Sequence, residues 1–343
     1  MTIHFEHQPA AHCESGVTSN LLRFYGTNIS EPMVLGVGAG LFFSYMPFIT
    51  LHGMPVVSFR PLPGQIFSRV AKRLRFKIRS RRFLNEDKSM RALDRLLLRG
   101  TPVGVVVGVY YLPYFPKAYR FHFNAHNLCI IGKEEDVYTV SDPVSMDLNQ
   151  LNYEELKRVR FAKGTYPPLG KMYWVERAAP ASPDLKAGII SGIQLNCKRM
   201  LDIPIPYFGV KGIHTMAKKM RQWEKTLGTR KAALHLAQTI RMLEEIGTGG
   251  AGFRYMYAAF LQEAAAVLDK PECKDFSIQM TQIGDRWRDF AHEAARKFKK
   301  RGDDVCSYDQ LADKLVVIAE EEKRFFTALR KFIREIESCK QRR

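Results

Sequence analysis

Acidic residues are in short supply. The 343-residue chain has 35 Asp and Glu against 53 Lys and Arg, a net charge of +18 and a pI near 9.7. That imbalance predicts an anionic partner: an acidic protein, nucleic acid or a membrane surface. Cysteine is also sparse. The six stand at positions 13, 129, 197, 273, 306 and 339, and no two have Cys-x-x-Cys spacing. A disulfide scaffold, a zinc ribbon and a thioredoxin-type pair are therefore excluded, and no metal site is expected. The opening MTIHFEHQPAA lacks a basic stretch followed by an apolar one. With reduced thiols, this fits a cytoplasmic protein. There is no internal repeat, no low-complexity tract, and no zinc-finger, winged or RNA-recognition signature, so a specific nucleic-acid partner is not expected.

Residues 32–59 carry no Asp, Glu, Lys or Arg, and 33–51 is long enough to span a bilayer. Gly36, Gly38, Gly40 and Pro47 interrupt it, with Gly53 and Pro55 just beyond. Alternate glycines followed by proline favour a loop and buried strands over a lipid-facing helix. No transmembrane span is expected, although contact with a membrane surface would suit the charge. The same glycines lack the G-x-G-x-x-G spacing of a dinucleotide loop, and Pro47 breaks any helix that would follow them. A closely packed backbone is the expectation there.

What is present is an ordinary globular composition, 46% apolar and 26% charged, in a length that suggests about two domains. Up to 177 the pattern reads α/β. Helices are predicted at 14–25, 65–74, 88–98 and 152–160, and strands at 55–60, 103–110, 126–132, 136–141 and 171–175. The pair around Gly132-Lys133-Glu134-Glu135 reads as a hairpin. The stretch 178–184, AAPASPD, is the best linker by composition. Beyond it helices are predicted at 185–202, 212–227, 229–246, 252–268, 274–300 and 307–338. The expected domains are 1–177 and 185–343.

One constellation could carry chemistry. Cys13 falls at the predicted start of the first helix, where the backbone dipole favours a thiolate. A nucleophilic thiol needs a base and a group to orient that base. His126 opens one strand of the predicted hairpin and Asp142 closes the other, so the two could pair across it. His122, four residues earlier, is the alternative base.

The segment from His12 to Tyr45, with His-Cys-x-Ser, Ser30-Glu31-Pro32 and Gly36-x-Gly38-x-Gly40, resembles the N-terminal domain of the butirosin biosynthesis protein H (BtrH) family. RFHFNAHNLCIIGKEEDVYTVSDP resembles the later part of that domain. It is also similar to the His-strand-turn-strand-Asp arrangement of papain-like peptidases that process double-glycine leaders. GTGGAGFRYMYAAFLQEAA resembles the helical domain that commonly follows. The resemblance implies a papain-like α+β N-terminal domain with antiparallel sheet and an all-α C-terminal domain. It also implies Cys13 as nucleophile, His126 as base and Asp142 as orienter.

The implied activity is acyl transfer from an acyl carrier protein to an amine-bearing small molecule in specialised-metabolite or lipid biosynthesis. The phosphopantetheine arrives on the donor, and no tightly bound cofactor is expected. A peptidase, amidase or thioesterase on the same three residues, or a non-catalytic basic binding protein, stays open. Glu31, His12 and Ser15 are candidate substrate-binding residues. The leader peptidases carry a glutamine shortly before the cysteine for the oxyanion. Gln8 is the nearest here, and the amides of Cys13 and Glu14 are the alternative donors. Residues 69–82, RVAKRLRFKIRSRR, hold eight Lys or Arg and no acid, a surface that would suit an acidic carrier. The tract Tyr110-Tyr111-Leu112-Pro113-Tyr114-Phe115 is a candidate acyl channel. Arg254, Tyr255 and Tyr257 are family-like residues without an assigned role.

Overall fold

The structure is a computed structural model that describes residues 3–51, 53–178, 183–299 and 305–341. In chain order it opens with α1 (Cys13–Phe24), α2 (Glu31–Val37), β1 (Ser44–Leu51), β2 (Met54–Ser58), α3 (Gln65–Arg73), β3 (Lys77–Arg81) and α4 (Glu86–Leu97). There follow β4 (Val103–Val107), β5 (His126–Glu134), β6 (Val137–Ser141), β7 (Asn149–Asn152), α5 (Tyr153–Arg160) and β8 (Met172–Arg177). The remainder is helical: α6 (Leu185–Leu201), α7 (Gly209–Met220), α8 (Trp223–Leu227), α9 (Thr229–Ile240), α10 (Arg254–Leu268), α11 (Glu272–Lys299) and α12 (Tyr308–Gln341).

The chain divides into two compact units. One is Met1–Val34 with Ile66–Asp184, the other Leu35–Gln65 with Leu185–Arg343. The apolar segment that follows Val34 thus groups with the helices, whereas a contiguous 1–177 domain was expected. Four residues of the expected linker, 179–182, lie outside the described residues. No helix among the described residues is long and apolar enough to cross a membrane.

The first unit is built on a six-stranded antiparallel sheet of order β3-β8-β4-β5-β6-β7. β4 and the first half of β5 are buried on both faces, so they read as apolar runs rather than alternating ones. On one face Cys129, Ile131, Val106 and Tyr173 pack with Val17 and Leu21 of α1. On the other, Leu128, Ile130, Val105 and Val107 pack with Met90, Leu93 and Leu97 of α4. Val17 and Leu21 are four residues apart and so share one helix face. That stripe lays α1 across the sheet beside the start of β5.

β3 leaves no strand signal in the sequence because three of the five residues of KIRSR are basic. It is an edge strand bonded only to β8, and an edge keeps its charges in water. Lys77 and Arg79 share Glu176 of β8 at 2.8 and 2.6 Å. Lys72, Arg75, Arg81 and Arg82 are exposed around them. β7, NQLN, was missed for a similar reason: it is short, polar and at the opposite edge.

The second unit packs its helices around rings. Phe43, Phe59 and Trp287 meet at centroid distances of 5.4–5.9 Å. β1 and β2 form their own hairpin. Gly36 is required by close approach: a Cβ there would fall 2.1 Å from the Phe260 ring, and one on Gly192 would fall 2.3 Å from the Gly36 carbonyl. At Gly36, then, the glycine serves close packing, as expected for a closely packed backbone. The family-like segment runs left-handed at Gly250, Ala251, Gly252 and Phe253. Arg254, fully buried, then pairs with Glu322 at 2.8 Å between the Phe59 and Trp287 rings. Tyr255 donates to Asp285 at 2.8 Å. Arg254 and Tyr255 are thus held by residues of this unit.

Candidate active site

Cys13 is the first residue of α1, and the loop before it is pinned from several sides. His12 is the N-cap and its Nδ1 accepts the Ser15 amide at 3.3 Å. Glu31 reaches in from α2. One carboxylate oxygen accepts the His12 amide at 2.7 Å and the Ser15 hydroxyl at 3.0 Å; the other accepts the Ala11 amide at 2.9 Å. Burial pushes the Glu31 carboxyl upward, and these donors partly offset it. Glu31, His12 and Ser15 were expected to bind substrate. They are bonded to one another and to the backbone in the turn that carries the thiol. Behind it Glu14, also buried, accepts the Ile66 and Phe67 amides at 2.9 and 3.2 Å, which ties the first turn of α3 to α1.

α1 is set against the turn after β6. The Ala10 amide donates to the Pro143 carbonyl at 2.6 Å. A Cβ on Gly16 would lie 2.5 Å from Ala10 Cβ and 2.7 Å from Pro143 Cβ. Glycine at 16 is what lets the Cys13 helix come so near the Asp142-Pro143 turn. His7 clamps that turn: its Nε2 donates to the Ser145 carbonyl at 3.2 Å, leaving Nδ1 to accept from the Ser141 hydroxyl at 2.8 Å.

His126 and Asp142 meet across the β5–β6 hairpin. His126 Nε2 donates to Asp142 Oδ2 at 2.8 Å, which turns Nδ1 away from the carboxylate, and Cys13 is near enough to act on the ring. All three side chains are buried, Asp142 completely. Burial, the largest influence on His126, favours the neutral ring. The Asp142 carboxylate and the Cys13 sulfur overcome it and push His126 up to about 10. A protonated imidazole near a sulfur favours the thiolate over the thiol.

Two residues of the aromatic tract complete this arrangement. The Tyr114 hydroxyl donates to the same Asp142 Oδ2 at 2.8 Å, and the Val144 amide donates to Oδ1 at 3.2 Å. Burial, then the Asp142 charge, hold the Tyr114 hydroxyl well above its usual range, so it remains a donor. The Phe115 ring meets His126 edge-on at 5.6 Å. These two were expected to line an acyl channel; they hold and shield the base–carboxylate pair. A tyrosine 28 residues from its partner leaves no local spacing signal. Asn127, a polar side chain within an otherwise apolar buried strand, was visible in the sequence but not singled out. Its Nδ2 lies 3.9 Å from Cys13 Sγ.

Two other candidates drop out. His122 is exposed and stacks on Tyr110 at 4.1 Å, away from any carboxylate partner, so His126 is the base candidate. Gln8 is exposed and its amide donates to Glu6 at 2.6 Å, so it is not the oxyanion donor in this arrangement. Among the described residues there is no cluster of three or more His, Cys, Asp or Glu able to hold a metal.

Residues 12–143 match the family model described as butirosin biosynthesis protein H, N-terminal. That match spans 132 of the 343 residues, so it is the N-terminal part of the chain that is similar to this family. Residues 154–329 match a second family model, a domain of unknown function named DUF4872. The first match runs from His12, the N-cap of the nucleophile's helix, to Pro143, one residue beyond Asp142, and so takes in all three residues of the site. No curated protein matches the chain. Among solved structures, that of a putative C39-like peptidase from Bacillus anthracis has a TM-score of 0.38 and 14% identity, over 52% of this chain and 98% of that one. The N-terminal unit is mixed α+β: a cysteine-bearing helix packed on an antiparallel sheet that carries the histidine and the carboxylate. A thiol, a base and an orienting carboxylate in this geometry make up the apparatus of a cysteine enzyme.

Proposed function

We propose that the protein is a cysteine-dependent acyltransferase that takes an acyl group from a carrier-bound thioester and passes it to an amine. The observation that carries this reading is the buried chain from Cys13 through His126 to Asp142, in a domain whose family is named for a biosynthetic protein. The Cys13 thiolate attacks the thioester carbonyl and forms a new C–S bond. As the tetrahedral adduct collapses, the pantetheine sulfur leaves and takes the proton from His126. One thioester replaces another, so the exchange is nearly isoenergetic. His126 then accepts the proton of an incoming amine as its nitrogen attacks the acyl-enzyme. The adduct collapses to the amide, and the Cys13 thiolate is restored opposite the imidazolium.

The basic edge around β3 supports an acidic carrier as donor. Glu14 joins the α3 end of that surface to the residue beside the nucleophile. The test is acceptor dependence. Incubated with an acyl-pantetheine thioester, the protein should form amide only when a primary amine is supplied, and thiol release should quicken on its addition. Free acid released at the same rate with or without amine would overturn transfer and mark the site as a hydrolase.

A further inference from the structure

Asn127 follows His126 in β5 and is almost fully buried. Successive strand residues face opposite sides, so Asn127 shares the α1 side with Cys129 and Ile131. An amide in that apolar layer has to be matched bond for bond, and it is. The Tyr173 hydroxyl donates to Asn127 Oδ1 at 2.9 Å. Asn127 Nδ2 donates to the Ala125 carbonyl at 3.1 Å and points at Cys13 Sγ, 3.9 Å away. A backbone carbonyl only accepts, so Ala125 fixes which end of the amide is nitrogen, and the Tyr173 hydroxyl then meets the oxygen end.

Tyr173 is itself held in place. Its ring lies 4.6 Å from that of Phe67. A Cβ on Gly104 would fall 2.2 Å from it, so the glycine inside β4 makes the room. Burial, then the Glu14 carboxylate, keep its hydroxyl well above the usual range, so it stays protonated and donates.

We propose that Asn127 is a catalytic donor to the Cys13 sulfur, and that Tyr173 is the positioning residue that aims it. The proposal rests on the reading of Cys13 as nucleophile. An amide locked with its N–H toward sulfur can donate and cannot accept. It therefore favours the anion, which accepts strongly, over the thiol, which accepts weakly. His126 faces the sulfur from the sheet end and gives up its proton when the donor thiol leaves. Asn127 keeps its hydrogens throughout, so it can receive the thiolate expelled when the acyl-enzyme breaks down.

The test is the pH profile of Cys13 alkylation by iodoacetamide, followed by peptide mass spectrometry, which needs no acyl substrate. Asn127→Leu keeps the bulk and removes the donor. Its alkylation midpoint should move up by about one pH unit, and its rate below the midpoint should fall about tenfold. Tyr173→Phe removes one oxygen, keeps the ring against Phe67 and frees the amide to turn. It should shift the midpoint in the same direction by about half as much. Circular dichroism and a melting curve establish that each variant folds, a condition Tyr173→Phe meets even if the leucine variant does not. A folded variant whose midpoint stays within about 0.2 unit of the parent overturns the proposal. A parent protein whose Cys13 titrates like an ordinary thiol would instead overturn the nucleophile assignment, so the two failures are distinguishable.

Discussion

Replacing His126 with alanine is expected to slow alkylation of Cys13 at pH 6 by about 100-fold. The sign follows from the site. Asp142 and the thiol hold the His126 proton up to about 10, against the burial that would drive it off. Through neutral pH the ring is therefore a cation beside the sulfur, and the sulfur pays little to be an anion. Without the ring, a thiol in the ordinary range near 8.5 is thiolate at only about 0.3% at pH 6. Rates measured from pH 5 to 10 should be nearly level in the parent over pH 6 to 9. They should fall about tenfold per unit on the acid side of the ordinary thiol range in His126→Ala. Superimposable profiles would mean that the ring and the sulfur are not an ion pair.

Asp142→Asn should cost about 10³–10⁴ in turnover, with little change in KM. Asp142 is wholly buried, and its carboxylate only accepts: from His126 and Tyr114 at one oxygen and from Val144 at the other. An amide of the same shape puts an N–H against one of these donors. If the single amide oxygen keeps the Val144 bond, the NH2 group takes the place of Oδ2 and faces His126 Nε2, and the ring is pushed to the wrong tautomer. The charge that opposed burial is also gone, so the imidazole becomes neutral and the thiolate loses its partner. Single-turnover release of pantetheine thiol from an acyl thioester measures this directly. Tyr114→Phe leaves the charge in place and should cost about tenfold or less on the same assay. An asparagine variant within about tenfold of the parent would remove Asp142 from the mechanism.

Much of this site was legible in the sequence, because its parts sit where local patterns are strong. A helix start at His12-Cys13, a strand opening at His126 and an Asp-Pro turn at 142 are all short-range signals, and a hairpin brings the last two together. What the sequence hid was set by tertiary contact. Glu31 reads as a loop carboxylate open to an amine, and only the fold reveals that it is occupied by Ala11, His12 and Ser15. Tyr114 reads as part of an apolar tract, and its hydroxyl meets Asp142 only because residues 109–125 loop back over the sheet end. β3 was read only as part of a basic surface because its charges mask the two-residue alternation that half-buries Ile78. The glycines at 36, 104 and 16 each admit a neighbour from far along the chain, and nothing local distinguishes such glycines from those of turns.

The most direct measurement is the intact mass of the protein after brief exposure to an acyl-pantetheine thioester without amine, followed by peptide mapping. A single acyl group on Cys13, absent from Cys13→Ser and discharged when a primary amine is added, is the predicted result. Thioester consumed with no adduct on Cys13, or with the acyl group on another residue, would contradict it.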